Sequence, residues 1–168
     1  SLADALAYAH SQGVIHRDIK SANIMMGEKN RPVIMDFGLA KVDNATLLTL
    51  DGTILGTPAY MAPEQAQPDR DRPNSSAVDV YSLGILMYEL FTGNLPFEGP
   101  NHMAVLKKVL EEEPVPPRKK NLRISKGLEI VILKALEKEP RRRYTSQELV
   151  EDVRRLRSGE AISAKPIS

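Results

Sequence analysis

The stretch from Ala77 to Thr92 restricts the fold more than any other part of the chain. Val78, Val80, Leu83, Ile85, Leu86, Met87, Leu90 and Phe91 place apolar residues on nearly every side of a helix, so that helix must be buried. Ser75-Ser76 offers its N-cap, and Gly93 ends it. Asp79, near its start, is then a buried charge that needs partners. Further amphipathic helices are predicted around it. Leu2, Leu6 and Ala9 fall at helical spacing before Gly13, which is placed to end that helix in a left-handed conformation. Asn101 to Glu112 puts Met103, Leu106 and Leu110 on one face before Pro114, Pro116 and Pro117 stop it. Leu128 to Leu136 reads as another helix, and a capping box from Thr145 to Glu148 opens the last, with Leu149, Val153 and Leu156 as its stripe.

With 168 residues, 42% hydrophobic and 27% charged, the chain suits one globular domain with a substantial core. A formal net charge of +1 gives no electrostatic footprint of a nucleic-acid binder, and the runs Lys119-Lys120 and Arg141-Arg142-Arg143 read as solvated faces. The absence of cysteine excludes disulfides and thiolate metal sites and fits a reducing compartment. No apolar run approaches the roughly 20 residues that span a bilayer, and no signal peptide opens the chain, so the expected location is cytoplasmic. Residues 158 to 168 show no periodicity and read as a flexible linker after a domain covering 1 to 157.

Three short motifs carry chemistry. In His16-Arg17-Asp18-Ile19-Lys20-Ser21-Ala22-Asn23, an aspartate can accept the proton of an attacking hydroxyl, a lysine two residues on can neutralise a moving phosphate, and an amide five residues on can hold a metal ion. Asp36-Phe37-Gly38 follows the apolar run Val33-Ile34-Met35, which reads as a short buried strand, and Ala62-Pro63-Glu64 closes the segment that Asp36 opens. Ile24-Met25-Met26 reads as a second strand, joined to the first by the polar turn residues Gly27 to Pro32. Antiparallel pairing would bring Asn23 and Asp36 to the same end, and oxygen ligands of this kind suit magnesium.

In order and spacing these motifs resemble those of the Hanks-type serine/threonine protein kinases, over residues 2 to about 157, with the bacterial subgroup the nearest match. Supporting runs are Gly13-Val14-Ile15-His16-Arg17-Asp18, Tyr60-Met61-Ala62-Pro63-Glu64-Gln65-Ala66 and Lys134 to Pro140. The resemblance implies a mainly α fold, the larger C-terminal lobe of a kinase, with short β-hairpins at the catalytic cleft. It implies ATP and Mg2+ as cofactors and a protein bearing Ser or Thr as substrate. Asp18, Lys20, Asn23 and Thr57 would be catalytic; Asn23 and Asp36 would hold metal, and Met25 would lie under the adenine. Plain core filling is the other reading of the methionines and is preferred for Met26 and Met35. Lys20 and Thr57 together favour Ser/Thr over Tyr as the target.

By the same resemblance, Arg17 would hold a phosphorylated residue of the activation segment, with Thr49 and Thr53 as phosphate acceptors. His16 would pack under Phe37 and serve the fold rather than act as a base; Gly38, Asp79 and a Glu64–Arg143 pair would also be structural. Two departures stand out. Ser21 replaces the usual proline, and Ala22 stands where an acid often selects basic substrates, leaving Glu89 as an acidic contact. Kinases carry a smaller lobe before the first helix seen here, with a glycine-rich loop and a strand lysine. The chain therefore reads as a partial catalytic domain, inactive alone. Separately, Gly159-Glu160-Ala161-Ile162 resembles a stretch that precedes a membrane span in bacterial receptor-like kinases, implying a parent anchored downstream, and the resemblance also implies a second copy as partner for trans-autophosphorylation. The competing reading is a non-catalytic binding lobe.

Overall fold

The computed structural model describes residues 1–37, 57–67 and 75–166. Gly38, Thr49 and Thr53 lie outside the described residues. Seven helices and a two-stranded sheet are present among those described. The buried helix spans Ala77–Thr92 (α3 below) and ends at Gly93 in a left-handed conformation, φ 74°. Leu2–Ser11 forms α1, Pro63–Ala66 α2, His102–Glu111 α4, Pro117–Lys120 α5, Lys126–Ala135 α6 and Ser146–Ser158 α7.

The sequence dictates α3's position. Val78, Val80, Tyr81, Leu83, Ile85, Leu86 and Tyr88 are all buried, and the helix packs against α5, α6 and α7 while α7 also covers α1. Each aliphatic side chain so buried contributes about 1.5–3 kcal/mol. Contact with α6 is close because Gly84 lacks a side chain: a Cβ there would stand 2.9 Å from the Cβ of Ala135.

Side-chain caps fix the starts of α4, α6 and α7. Asn101 accepts from the Ala104 N–H at 2.9 Å, Ser125 from Leu128 at 3.1 Å, and Thr145 closes a capping box with Glu148. In α4 the inward face is Leu106 and Val109, while Met103 is exposed, so the stripe lies one position from the expected Met103-Leu106-Leu110. α4 ends at Glu111, ahead of the prolines as expected, and Pro117 then occupies the first turn of α5, where its missing N–H has no helical partner to lose.

Strands Ile24–Met26 (β1) and Pro32–Ile34 (β2) pair antiparallel, with Ile24 opposite Ile34 and Met25 opposite Val33. Val33-Ile34-Met35 is not the buried strand its composition suggests. One face of the ribbon is partly covered, with Ile34 turned inward; Met25, Val33 and Met35 on the other face are exposed, and so is Met26 at the end of β1. Core filling therefore does not describe Met26 or Met35.

The described residues beyond α7, up to 166, are not a free linker. Gly159 takes φ 75° and turns the chain back, and the Ser163 and Ala164 N–H groups donate to the two carboxylate oxygens of Asp152 at 2.7 and 3.0 Å. Ile162 and Ala164 pack against the core. Among the described residues no helix is long and apolar enough to cross a membrane.

Candidate active site

Asp79 organises the loop that follows α1. Its Oδ2 accepts the His16 N–H at 2.7 Å and its Oδ1 the Arg17 N–H at 2.7 Å, while His10 Nε2 on α1 lies 2.8 Å from Oδ2. The carboxylate is fully buried. These bonds hold Arg17 in a left-handed backbone conformation, φ 67°, which a non-glycine residue adopts only when its surroundings impose it.

His16 carries the next link. Nε2 faces the Met35 carbonyl at 2.8 Å, and a carbonyl only accepts, so Nε2 bears the hydrogen; Nδ1 then accepts the Asp18 N–H at 3.2 Å. With both nitrogens committed, the neutral ring has none left to take a substrate proton. Its edge meets the Phe37 ring at 4.8 Å between centroids and 74° between planes. The histidine thus joins the loop to the end of β2.

Asp18 sits between two donors. Asn23 Nδ2 donates to the Asp18 carbonyl at 2.7 Å and to its carboxylate Oδ2 at 3.2 Å, and Lys20 Nζ lies 3.1 Å from the same oxygen. A 3₁₀ turn over Ser21–Asn23 sets that geometry, and the ladder continues one step past the strands through the Met35 N–H to the Asn23 carbonyl, 2.8 Å. Asn23 and Asp36 are consequently at one end of the hairpin. Asp36 itself takes a left-handed conformation, φ 60°. Met25, 56% exposed, lies on the open face of the ribbon. Thr57 shares a small recess with Arg17, Asp18 and Ile19.

Farther from the cleft, Arg143 donates to both oxygens of Glu64, at 2.7 and 3.0 Å, and to the carbonyls of Ala77, Glu137 and Lys138. Its guanidinium also covers the Tyr81 ring at 5.0 Å. The pair pins α2 to the start of α3 and to the loop before α7.

Two contributions were missed by reading the sequence. His10 shares a helical face with Ala3 and Leu6, at the spacing that faces the core, so a polar residue there signals a buried partner. Tyr60 stands in the sequence only as part of a motif, yet its hydroxyl donates to Glu89 Oε2 at 2.5 Å and stands 3.0 Å from Ser21 Oγ. Burial and the Glu89 carboxylate both push the Tyr60 phenol above its ordinary value.

The sequence matches the family described as "Protein kinase domain" over residues 1–153, and the chain belongs to that family. Among its relatives, serine/threonine-protein kinase PknB of Mycobacterium leprae is 41% identical over 165 residues, which is 97% of this chain and 26% of that protein. Serine/threonine-protein kinase PkaA of Streptomyces coelicolor is 40% identical over 166 residues, 97% of this chain and 29% of that protein. A probable serine/threonine-protein kinase of Clostridium perfringens is 36% identical over 157 residues, 93% of this chain and 22% of its own length. The chain thus spans about a quarter of the length of the curated relatives it matches.

Proposed function

We propose that the protein carrying this chain transfers the γ-phosphate of ATP to serine or threonine hydroxyls of other proteins. One observation carries the reading: a single carboxylate, Asp18, is held by the amide of Asn23 and faced by the ammonium of Lys20, while Asp36 lies at the same end of the hairpin. Asp18 orients the target hydroxyl and accepts its proton, Lys20 neutralises charge at the transferring group, and Thr57 steadies the recess between them.

The residues present fit a divalent cation with its nucleotide. Asn23 spends its amide nitrogen on Asp18, which leaves its oxygen as an acceptor, and with the Asp36 carboxylate this makes an all-oxygen donor set of the kind magnesium takes. Bound Mg-ATP supplies the phosphoryl group and much of the charge neutralisation. The exposed face of Met25 is the place for the adenine ring. Arg17 holds the phosphorylated residue of the activation segment, at Thr49 or Thr53, and a second copy of the kinase delivers that phosphate in trans. The isolated chain, without a lobe to cover the phosphates, transfers phosphate poorly or not at all. Anchoring of the parent to a membrane downstream of this domain belongs to the same proposal.

The test is intact-mass analysis of the protein extended upstream through a small lobe, incubated with Mg-ATP beside its Asp36→Ala and Asp18→Asn variants. Phosphate is added to the parent, none to Asp36→Ala, and Asp18→Asn turns over about 10²–10⁴-fold more slowly. Equal mass gain in parent and variants, or no phosphate on the protein or on a generic substrate, refutes the reading and leaves a binding lobe.

A further inference from the structure

The hydroxyl of Ser21 is not explained by the chemistry above. It stands 3.0 Å from the Tyr60 hydroxyl, across 39 positions of sequence. Tyr60 has one hydroxyl hydrogen, and that hydrogen goes to Glu89 Oε2, 2.5 Å away, because a carboxylate only accepts. Ser21 must therefore be the donor. The chain of bonds runs from the Ser21 hydroxyl to the Tyr60 oxygen and on to the Glu89 carboxylate, each bond polarising the next.

Tyr60 is also fixed at its other end. Ser82 Oγ on α3 donates to the Tyr60 carbonyl at 2.7 Å, so the residue spans two turns of α3, from Ser82 to Glu89. It belongs to the 3₁₀ turn Pro58–Tyr60 that begins beside Thr57. Ser21 opens another 3₁₀ turn, the one that ends at Asn23, directly after Lys20. One phenol is where the loop bearing Asp18, the segment bearing Thr57 and the buried helix meet.

We propose that Ser21 is a positioning residue: its hydroxyl ties the Asp18–Asn23 loop to Tyr60 and, through it, to Glu89, fixing the loop against the segment that carries Thr57. Its consequence for turnover rests on the phosphotransfer reading; the tie itself does not. Proline provides a sharp control. The first position of a helical turn accepts proline, and Lys20 before it is already extended at φ −160°, ψ 165°, so Ser21→Pro suits the backbone while removing the hydroxyl along with an N–H that the first turn does not use.

The experiment uses the full-length protein with Ser21→Ala, Ser21→Pro, Ser21→Thr, Tyr60→Phe and the double variant Ser21→Ala/Tyr60→Phe. Thermal midpoints come first, since they need no activity. Ser21→Ala lowers the midpoint by about 2–4 °C in the parent and has no effect in the Tyr60→Phe background. Peptide kinetics follow: Ser21→Ala and Ser21→Pro each lower kcat roughly five-fold with KM for ATP unchanged, and Ser21→Thr restores it. Additive midpoint shifts, or Ser21→Pro indistinguishable from the parent in both readouts, overturn the proposal. An inactive parent with a coupled midpoint cycle refutes the phosphotransfer reading and leaves the tie standing.

Discussion

At the scale of single residues, the chain places strongly polar groups where they must be fully satisfied. Arg143 is the clearest case, since its fully buried side chain serves Glu64 and three carbonyls at once. Removing it strands a carboxylate as well as three acceptors, so Arg143→Met should cost about 3–5 kcal/mol of unfolding free energy in urea denaturation. Lys138 illustrates the opposite balance. Its ammonium donates to the Val109 carbonyl at 2.6 Å and lies 4.2 Å over the Phe97 ring, and burial pulls it down to about 8, with Glu113 partly offsetting that. A lysine whose native value is depressed binds its proton more weakly folded than unfolded. Its contribution to stability therefore rises as pH climbs from about 8 toward the ordinary lysine value, 10.5, and is lost as pH falls through the lower one. Unfolding curves of the parent minus those of Lys138→Met should show that positive slope; a flat difference would place the ammonium in water.

At the scale of elements, helices are legible where periodicity and caps coincide and illegible where the backbone alone decides. The span of α3 follows directly from its apolar run and from Gly93, and α7 from its capping box. Gly84 is the exception within α3, because nothing in a run of apolar residues distinguishes a glycine that admits Ala135 from one that merely weakens the helix. Gly84→Val should separate α3 from α6 and destabilise the protein by about 2–3 kcal/mol, measured as a lowered denaturation midpoint. Near-neutral behaviour would show the two helices free to part. The hairpin was legible as two strands, but not its exposure: Val33 and Met35 have the composition of a buried strand, yet no described element packs over their face. Motif spacing and strand pairing bring Asn23 and Asp36 to one end of the hairpin, just after the loop that carries Asp18. Ser21 with Tyr60, and His10 with Asp79 at a separation of 69 residues, depend on tertiary geometry that no local pattern encodes.

At the scale of the whole molecule, the segment after α7 closes the lobe instead of leaving it. Burial pushes the Asp152 carboxyl up, but the Ser163 N–H, the Tyr144 hydroxyl, the Ala164 N–H and Arg155 together hold it below the ordinary carboxylate value. A depressed carboxylate lends stability above its unfolded value that is lost as pH falls through the native one. The stability difference between the parent and Asp152→Asn should accordingly be present at about pH 7 and vanish in acid; a difference independent of pH would assign the effect to shape alone. Sequence could not reveal this closure, because the groups that make it are backbone N–H donors in a stretch without periodicity. The geometry also has a mechanical meaning. A pull on the chain beyond Ala164 is borne first by two N–H bonds to one carboxylate and by the seating of Ile162, in series and ahead of α7. The segment thus stands between such a load and α7, because its bonds to Asp152 come before the helix in the line of pull.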